Sequence, residues 1–554
     1  MRRLFGILLF LMVCVGTGAS ALITEFCPDP YLHDDADEYI VLSGNGLLDG
    51  FVISDGRGGF RFPPGTTICG TLTVARSGSA YRESHGVFPD FEWLDYSPEV
   101  PDVIPGKTLR LANSRDMLML YEDGNLIQNI SWPGDVTARE GQVHYLQDDV
   151  WDPRPLLLGQ SRFEPASFSG VGVTAFVSPD SSSGVMTAAV NAATDEILLN
   201  IYEFSSPKIA ESLIAAKGRN VDVVVLVEGG PVGGISSEEK AALWQLNQSG
   251  IPVYAMAPAN GEHAPYRYDH AKYLIIDRRA VLLTSENFKY SGFPPDGMSG
   301  NRGWGVYLED PDLARYFISV FMFDLNDGSV KPYPGTPGND ESPPLQKRRS
   351  EFLPMQFAGA SVRPVIAPDT SREILDLIGS AKNKIEIEQA YITNETPLTL
   401  NPYLAAAINA SRRGVNVRVL LDSYWYNTED TADNDEMVAL INRIAMVEQI
   451  PLEARCADLT TTELDKIHNK GVIVDDQKVL VSSINWNRNS PNFNREAGVI
   501  IDHPGVARYF GDVFDDDWAP AIKSPRNEFD WPKLAIVTVV IALLLVLYYR
   551  RHIR

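Results

Sequence analysis

Apolar positions fall into two regimes along this chain. Over residues 22–135 they come in short runs: Glu38-Tyr-Ile-Val-Leu42, Gly50-Phe-Val-Ile53, Gly70-Thr-Leu-Thr-Val-Ala75 and Asp116-Met-Leu-Met-Leu-Tyr121. Gly, Pro, Asp and Asn separate them. Such runs between turn residues predict strands, and a series of them predicts an all-β sandwich. From about residue 170 strand-like runs alternate with helical periodicity. Glu196-Ile-Leu-Leu-Asn-Ile-Tyr202 and Val221-Asp-Val-Val-Val-Leu-Val227 are the first two, and Lys384-Ile-Glu-Ile-Glu388 and Val415-Asn-Val-Arg-Val-Leu-Leu421 repeat them. Both copies close alike, with Pro311-Asp-Leu-Ala-Arg-Tyr-Phe317 and Pro504-Gly-Val-Ala-Arg-Tyr-Phe510. The pattern predicts a duplicated α/β pair with helices on both sheet faces. Its halves are 170–325 and 356–520, joined by a linker, 326–355, rich in Pro, Gly and charge.

The two ends differ from both regimes. Residues 1–21 join Arg2 and Arg3 to a short apolar run and Ala19-Ser-Ala21, the layout of a secretory signal. Residues 534–549 are an uncharged apolar run flanked by Trp531 and Lys533 on one side and by Arg550 and Arg551 on the other. This predicts one membrane span with a cytoplasmic tail, 550–554, and with the bulk of the chain extracellular. Asn129, Asn247, Asn394 and Asn409 head glycosylation-type triplets, in keeping with that location. Cys14 falls in the signal. Cys27 and Cys69 form a disulfide candidate, with three free thiols (Cys456 being the third) as the alternative.

Charge narrows the partners. There are 48 Lys and Arg against 72 Asp and Glu, a formal net charge of −24. Such a surface repels phosphate backbones and anionic lipid and gives no support to a sequence-independent nucleic-acid binder, while leaving room for a local basic cleft.

The candidate chemistry sits inside the duplication. His270, Lys272, Asp277, Ser285 and Asn287 recur at the same spacing as His468, Lys470, Asp475, Ser483 and Asn485, 198 residues later. In each copy His and Lys lie two apart at the start of a strand-like run, hence on one face, and Ser and Asn end the next strand in the same way. Ammonium groups and neutral donors suit the non-bridging oxygens of a phosphodiester. One imidazole can attack phosphorus while the other protonates the leaving oxygen. No set of residues has metal-ligand spacing, and neither a metal nor another cofactor is expected.

This spacing resembles the HKD motif of the phospholipase D superfamily, over about 350 residues. The resemblance implies that the halves pack face to face, bringing His270, Lys272, His468 and Lys470 into one cleft with Ser285, Asn287, Ser483 and Asn485 as phosphate contacts. It implies a phosphohistidine intermediate, with Asp277 and Asp475 structural or behind the reacting groups. Family members also place an acid about thirty positions after the His, facing the imidazole of the other half. Glu496 fills that place in the second half, whereas the first has Gly303. That favours His270 as nucleophile backed by Glu496, and His468 as general acid. Glu309 or Asp310 is the expected substitute for the missing acid. Tyr202-Glu203 and Glu388-Gln389, at strand ends, belong to the cleft wall or to the core. Asp515-Asp-Asp517 reads as a solvated face.

The segment Leu22-Ile-Thr-Glu-Phe-Cys-Pro-Asp-Pro30, with Glu38-Tyr-Ile-Val-Leu42 and Pro64-Gly-Thr-Thr-Ile68, looks like a lamin-tail domain. That likeness implies an immunoglobulin-like positioning module whose partner is unknown. The expected protein is a surface-anchored phosphodiesterase acting on phospholipid head groups. A nuclease of the same superfamily and an inactive adhesion scaffold are the alternatives.

Overall fold

The computed structural model describes residues 20–518 apart from 95–96, 114–115, 133–139, 148, 259–262, 339–345, 349–350, 397 and 430–432. Most of the expected signal, the span 534–549 and the tail 550–554 lie outside these residues. Among the described residues no helix is long and apolar enough to cross a membrane.

Alternation in the first region produces two facing sheets. Tyr39–Leu47 pairs with Ser20–Cys27 on one side and Thr67–Ala75 on the other. Ile40, Leu42, Leu72 and Val74 from this sheet meet Phe51, Ile53, Leu118 and Leu120 from the second. The sheets hold six and five strands. The sandwich runs past residue 135, because His144–Gln147 pairs with Ser20–Cys27 and Val150–Trp151 adds an edge. That strand carries only one aliphatic residue, Leu146, so its sequence gives little sign of it. His144 is packed against Phe26, ring centroids 4.6 Å apart.

The disulfide candidate does not form: Cys27 and Cys69 are not bonded to each other. Cys27 lies in the row of Tyr39 and Ala75, while Cys69 pairs with Asn45, six residues further along the same strand. At about 3.3 Å per residue that is roughly 20 Å, far beyond disulfide reach.

The α/β halves share one fifteen-stranded sheet. In the first half the order runs Val330–Pro332, Val253–Met256, Asp222–Glu228, Glu196–Ile201, Lys272–Ile276, Ala280–Thr284, Gly303–Glu309 and Phe168–Ser178. The second half mirrors it from Met355–Ala367 through Glu496–Asp502, Lys478–Ser482, Lys470–Val474, Lys384–Gln389 and Asn416–Leu421 to Leu452–Cys456. The seam is the antiparallel pairing of Phe168–Ser178 with Met355–Ala367. Beyond Lys272 and Lys470 the motif strands are buried on both faces and almost wholly apolar. The expected linker is partly built in, since Val330–Pro332 is an edge strand and Arg348 is buried on Asp180.

The closing helices Pro311–Leu325 and Pro504–Trp518 feed one core shared by the halves, Phe317 packing on Tyr273 and Phe510 on Trp304. Two buried arginines cross this junction. Arg302 binds Asp517 and Asp180, and Arg495 binds Asp324 and Asp369. Asp517 is therefore not part of a solvated face. Its place in the last turn of the closing helix turns it inward to Arg302, at 2.6 Å.

Candidate active site

Each motif strand starts beside the other half. The His270 N–H donates to the Arg495 carbonyl and the His468 N–H to the Arg302 carbonyl, both at 2.8 Å. Short parallel bridges, Asp269 with Arg495 and Arg302 with Ile467, complete this near-twofold contact. Backbone pairing thus sets each histidine next to the acid-bearing segment of the opposite half.

His270 and Glu496 meet there, with Nδ1 to Oε2 at 2.7 Å. The Ser483 hydroxyl donates to the same Oε2 at 2.6 Å, and the Asn494 amide donates to Oε1 at 3.0 Å. A proton on Nδ1 held by Glu496 leaves Nε2 with a free lone pair. Burial lowers the His270 pKa, and Glu496 pulls it back up. Burial also lowers His468, well below the ordinary value, with Lys470, Lys466, Lys272 and His270 all pushing the same way.

The ammonium groups of Lys272 and Lys470 each donate to the carbonyl of the histidine two residues earlier, at 2.8 and 2.6 Å. Burial brings the Lys272 pKa down to about 8, and it drives Lys470 well below its usual value with Lys272 adding to the effect. Two buried cations in mutual repulsion make a strong seat for an anion. Asn287 and Asn485 each carry a buried Oδ1 lacking a hydrogen bond. Asn287 Nδ2 is held by Glu203, which also binds Lys289.

Some expected site residues lie elsewhere. Asp277 and Asp475 sit at the far ends of the motif strands, in left-handed turns with φ of 49° and 54°. Asp277 accepts from the N–H groups of Thr194, Asp195 and Glu196, and Asp475 from those of Lys382, Asn383 and Lys384. Burial raises both carboxyl pKa values, but these donors outweigh it and leave both lowered. They are turn clamps, outside the cleft. The two serines brace the site from within: Ser285 Oγ accepts from Trp304 N–H, and Ser483 Oγ is committed to Glu496.

Among the strand-end candidates, Tyr202 meets the His270 ring, while Glu388 and Gln389 are wholly buried. The register explains the difference. Gln389 pairs with Lys470 as Ile201 pairs with Lys272, so Tyr202 stands one place further on. The expected substitute acids do not reach His468. Asp310 instead caps the helix Pro311–Leu325, and Glu309 ends the strand Gly303–Glu309. The carboxylate present is Glu286, between Ser285 and Asn287, with Oε1 3.3 Å from His468 Nδ1. Sequence reasoning missed it. The available signal was a Glu where the other half has Ile484, paired with a Gly where the other half has Glu496.

Lys466 lies close enough to His468 to lower its proton affinity. Lys466 Nζ donates to the Tyr426 hydroxyl at 2.9 Å, and Trp425 and Tyr426 are exposed. Among the described residues no cluster of three or more His, Cys, Asp or Glu could hold a metal ion.

The family model described as "Cardiolipin synthase, PLD-like domain" matches residues 186–324 and 374–518. The chain belongs to the phospholipase D superfamily, with the domain present twice. Membership gives it phosphodiesterase-type chemistry in general terms. Among solved structures it is similar to Nuc, a phospholipase D family member from Salmonella typhimurium, at 27% identity over 31% of this chain and 99% of that one, with a TM-score of 0.24. It is also similar to phosphatidylserine synthase from Haemophilus influenzae, at 14% identity over 62% and 85% of the two chains, with a TM-score of 0.44. NucT from Helicobacter pylori matches at 16% identity over 29% and 96%, with a TM-score of 0.24. No curated protein matches the chain.

Proposed function

We propose that this protein is a metal-independent phosphodiesterase acting on phospholipid head groups from the outer face of a membrane, to which its C-terminus tethers it. The observation that carries the chemistry is the His270–Glu496 pair, closed across the two halves at 2.7 Å.

His270 Nε2 attacks phosphorus, and the bond to the leaving oxygen breaks as His468 gives it a proton. Glu496 stabilises the imidazolium that develops on His270. Lys272, Lys470, Asn287 and Asn485 hold the non-bridging oxygens, whose charge peaks in the transition state. Water, deprotonated by His468, then attacks the phosphohistidine and breaks the P–N bond. Burial and the surrounding lysines lower the proton affinity of His468; an incoming phosphate anion beside it raises that affinity.

Lipid is favoured by the exposed Trp425 and Tyr426 next to Lys466, an amphipathic group suited to a head-group layer. The net charge of −24 argues the same way by disfavouring polynucleotide. The sandwich, with its likeness to a lamin-tail domain, serves as a positioning module. A nuclease is the second reading, because exposed aromatics beside a lysine also stack bases.

The test offers phospholipid vesicles and plasmid DNA side by side to the secreted portion, residues 22–518, in excess EDTA. Head-group release that vanishes in His270→Asn supports the reading. DNA cleavage with lipid untouched moves the assignment to nuclease. Loss of all activity in EDTA overturns the metal-free mechanism.

A further inference from the structure

The two halves place a carboxylate at each imidazole from different positions. In the second half the acid is Glu496, on the strand after the Ser-Ile-Asn segment, and Ile484 is apolar. In the first half the strand position is Gly303, and the Ser-Glu-Asn segment supplies Glu286. The exchange is sterically coupled. A Cβ on Gly303 would lie 2.5 Å from Glu286 Cγ and 2.7 Å from Ser285 Oγ, so the glycine clears the space that Glu286 occupies. Glu286 is 1% exposed.

Its other oxygen, Oε2, accepts from the Asn301 amide at 2.9 Å. Asn494, in the equivalent place of the other half, gives the same support to Glu496 at 3.0 Å. The amide clamp is thus shared while the acid it holds has moved. Glu286 Oε1 and His468 Nδ1 are both buried, neither has a hydrogen-bond partner, and they face each other as an ion pair at 3.3 Å. Lys466, Lys470, Lys272 and His270 are the charged or titratable groups that face His468. Without a carboxylate His468 would meet only groups that repel its proton.

We propose that Glu286 is the positioning residue of His468, fixing the ring through Nδ1 and holding the proton donor in its charged form until its proton passes to the leaving oxygen. This rests on the reading of His468 as general acid. The carboxyl of Glu286 is itself raised by burial to about 7.

Two measurements test it. The first is independent of turnover: the His468 ring is titrated by 15N NMR in the wild type and in Glu286→Gln, its signal assigned by loss in His468→Asn. Gln keeps an oxygen for Asn301, so the fold is retained. Loss of the anion is expected to lower the His468 pKa by about 1 unit. An unmoved titration overturns the proposal.

The second compares diesters with p-nitrophenolate and alkoxide leaving groups. Glu286→Gln is expected to cut kcat about 100-fold for the alkoxide, which needs a proton, and less than about fivefold for p-nitrophenolate, with KM unchanged. Equal losses for both substrates overturn the proposal. The double variant Glu286→Ile with Gly303→Glu rebuilds the arrangement of the second half and is expected to restore most of the alkoxide rate. A wild type inert toward every diester would count against the proposed function, and the NMR titration would still decide the role of Glu286.

Discussion

The Tyr202 ring meets the His270 imidazole edge-on, with centroids 4.5 Å apart. Its hydroxyl accepts from Val232 N–H at 2.8 Å, which anchors the far end of the phenol. Glu496 fixes one nitrogen of the imidazole and Tyr202 fixes its plane. Tyr202→Ala should lower kcat by about 10–100-fold with a small change in KM, because a misaimed nucleophile loses near-attack geometry. Tyr202→Phe, which keeps the ring, should stay within about threefold of wild type. Steady-state kinetics on a soluble diester decide between these outcomes.

The alkaline side of the rate profile should report Lys272. Its charge is lost as pH rises through about 8, so kcat/KM, which reads the free enzyme, should fall there. Stability moves the other way. The folded pKa lies below the unfolded value of 10.5, so the unfolded chain holds more protons between about 8 and 10.5. The cost of burying this ammonium is therefore full below 8 and fades as pH rises to 10.5. Urea midpoints at pH 7.5 and 9.5, compared with those of Lys272→Met, measure the difference.

Asp277→Asn should destabilise without disabling. The change removes the charge that gathers three backbone N–H groups, at a cost of about 1–3 kcal/mol, while Asn still tolerates the positive φ of this turn. Thermal unfolding should shift down by a few degrees, and kcat should hold within about twofold. A collapse in kcat at unchanged stability would return Asp277 to the catalytic set.

Arg495→Met would strand Asp324 and Asp369 at the junction. Removing one partner of a buried ion pair costs about 3–5 kcal/mol. Because the same segment pairs with Tyr268 and His270, activity should fall together with stability, and faster hydrogen exchange along Lys272–Ile276 should show it.

Much of the architecture was written in periodicity. Duplicated spacing gave the two halves, and the resemblance to the phospholipase D superfamily implied the contact of His270 with Glu496 across them. Glu286 was harder to read. A residue between Ser285 and Asn287 looks like filler in one dimension, and its meaning depends on the volume left by Gly303, seventeen positions away. Asp517 misled for a related reason: a run of three acids reads as solvated until Arg302 is placed beneath it. His144–Gln147 was missed because its partner, Ser20–Cys27, lies more than a hundred residues earlier.

The crosswise arrangement has a consequence for how the chain comes into being. Each imidazole draws its carboxylate from the opposite half, and Arg302 waits for Asp517 near the end of the last described helix. A polypeptide emerging N-terminus first holds His270 and Lys272 long before Glu496 exists. A nascent or truncated product therefore carries the reactive residues without the partners that arm them. The duplication ties the site to the completion of the second half: the crosswise pairs can form only once synthesis has passed the last described helix, so a chain abandoned midway holds His270 without Glu496.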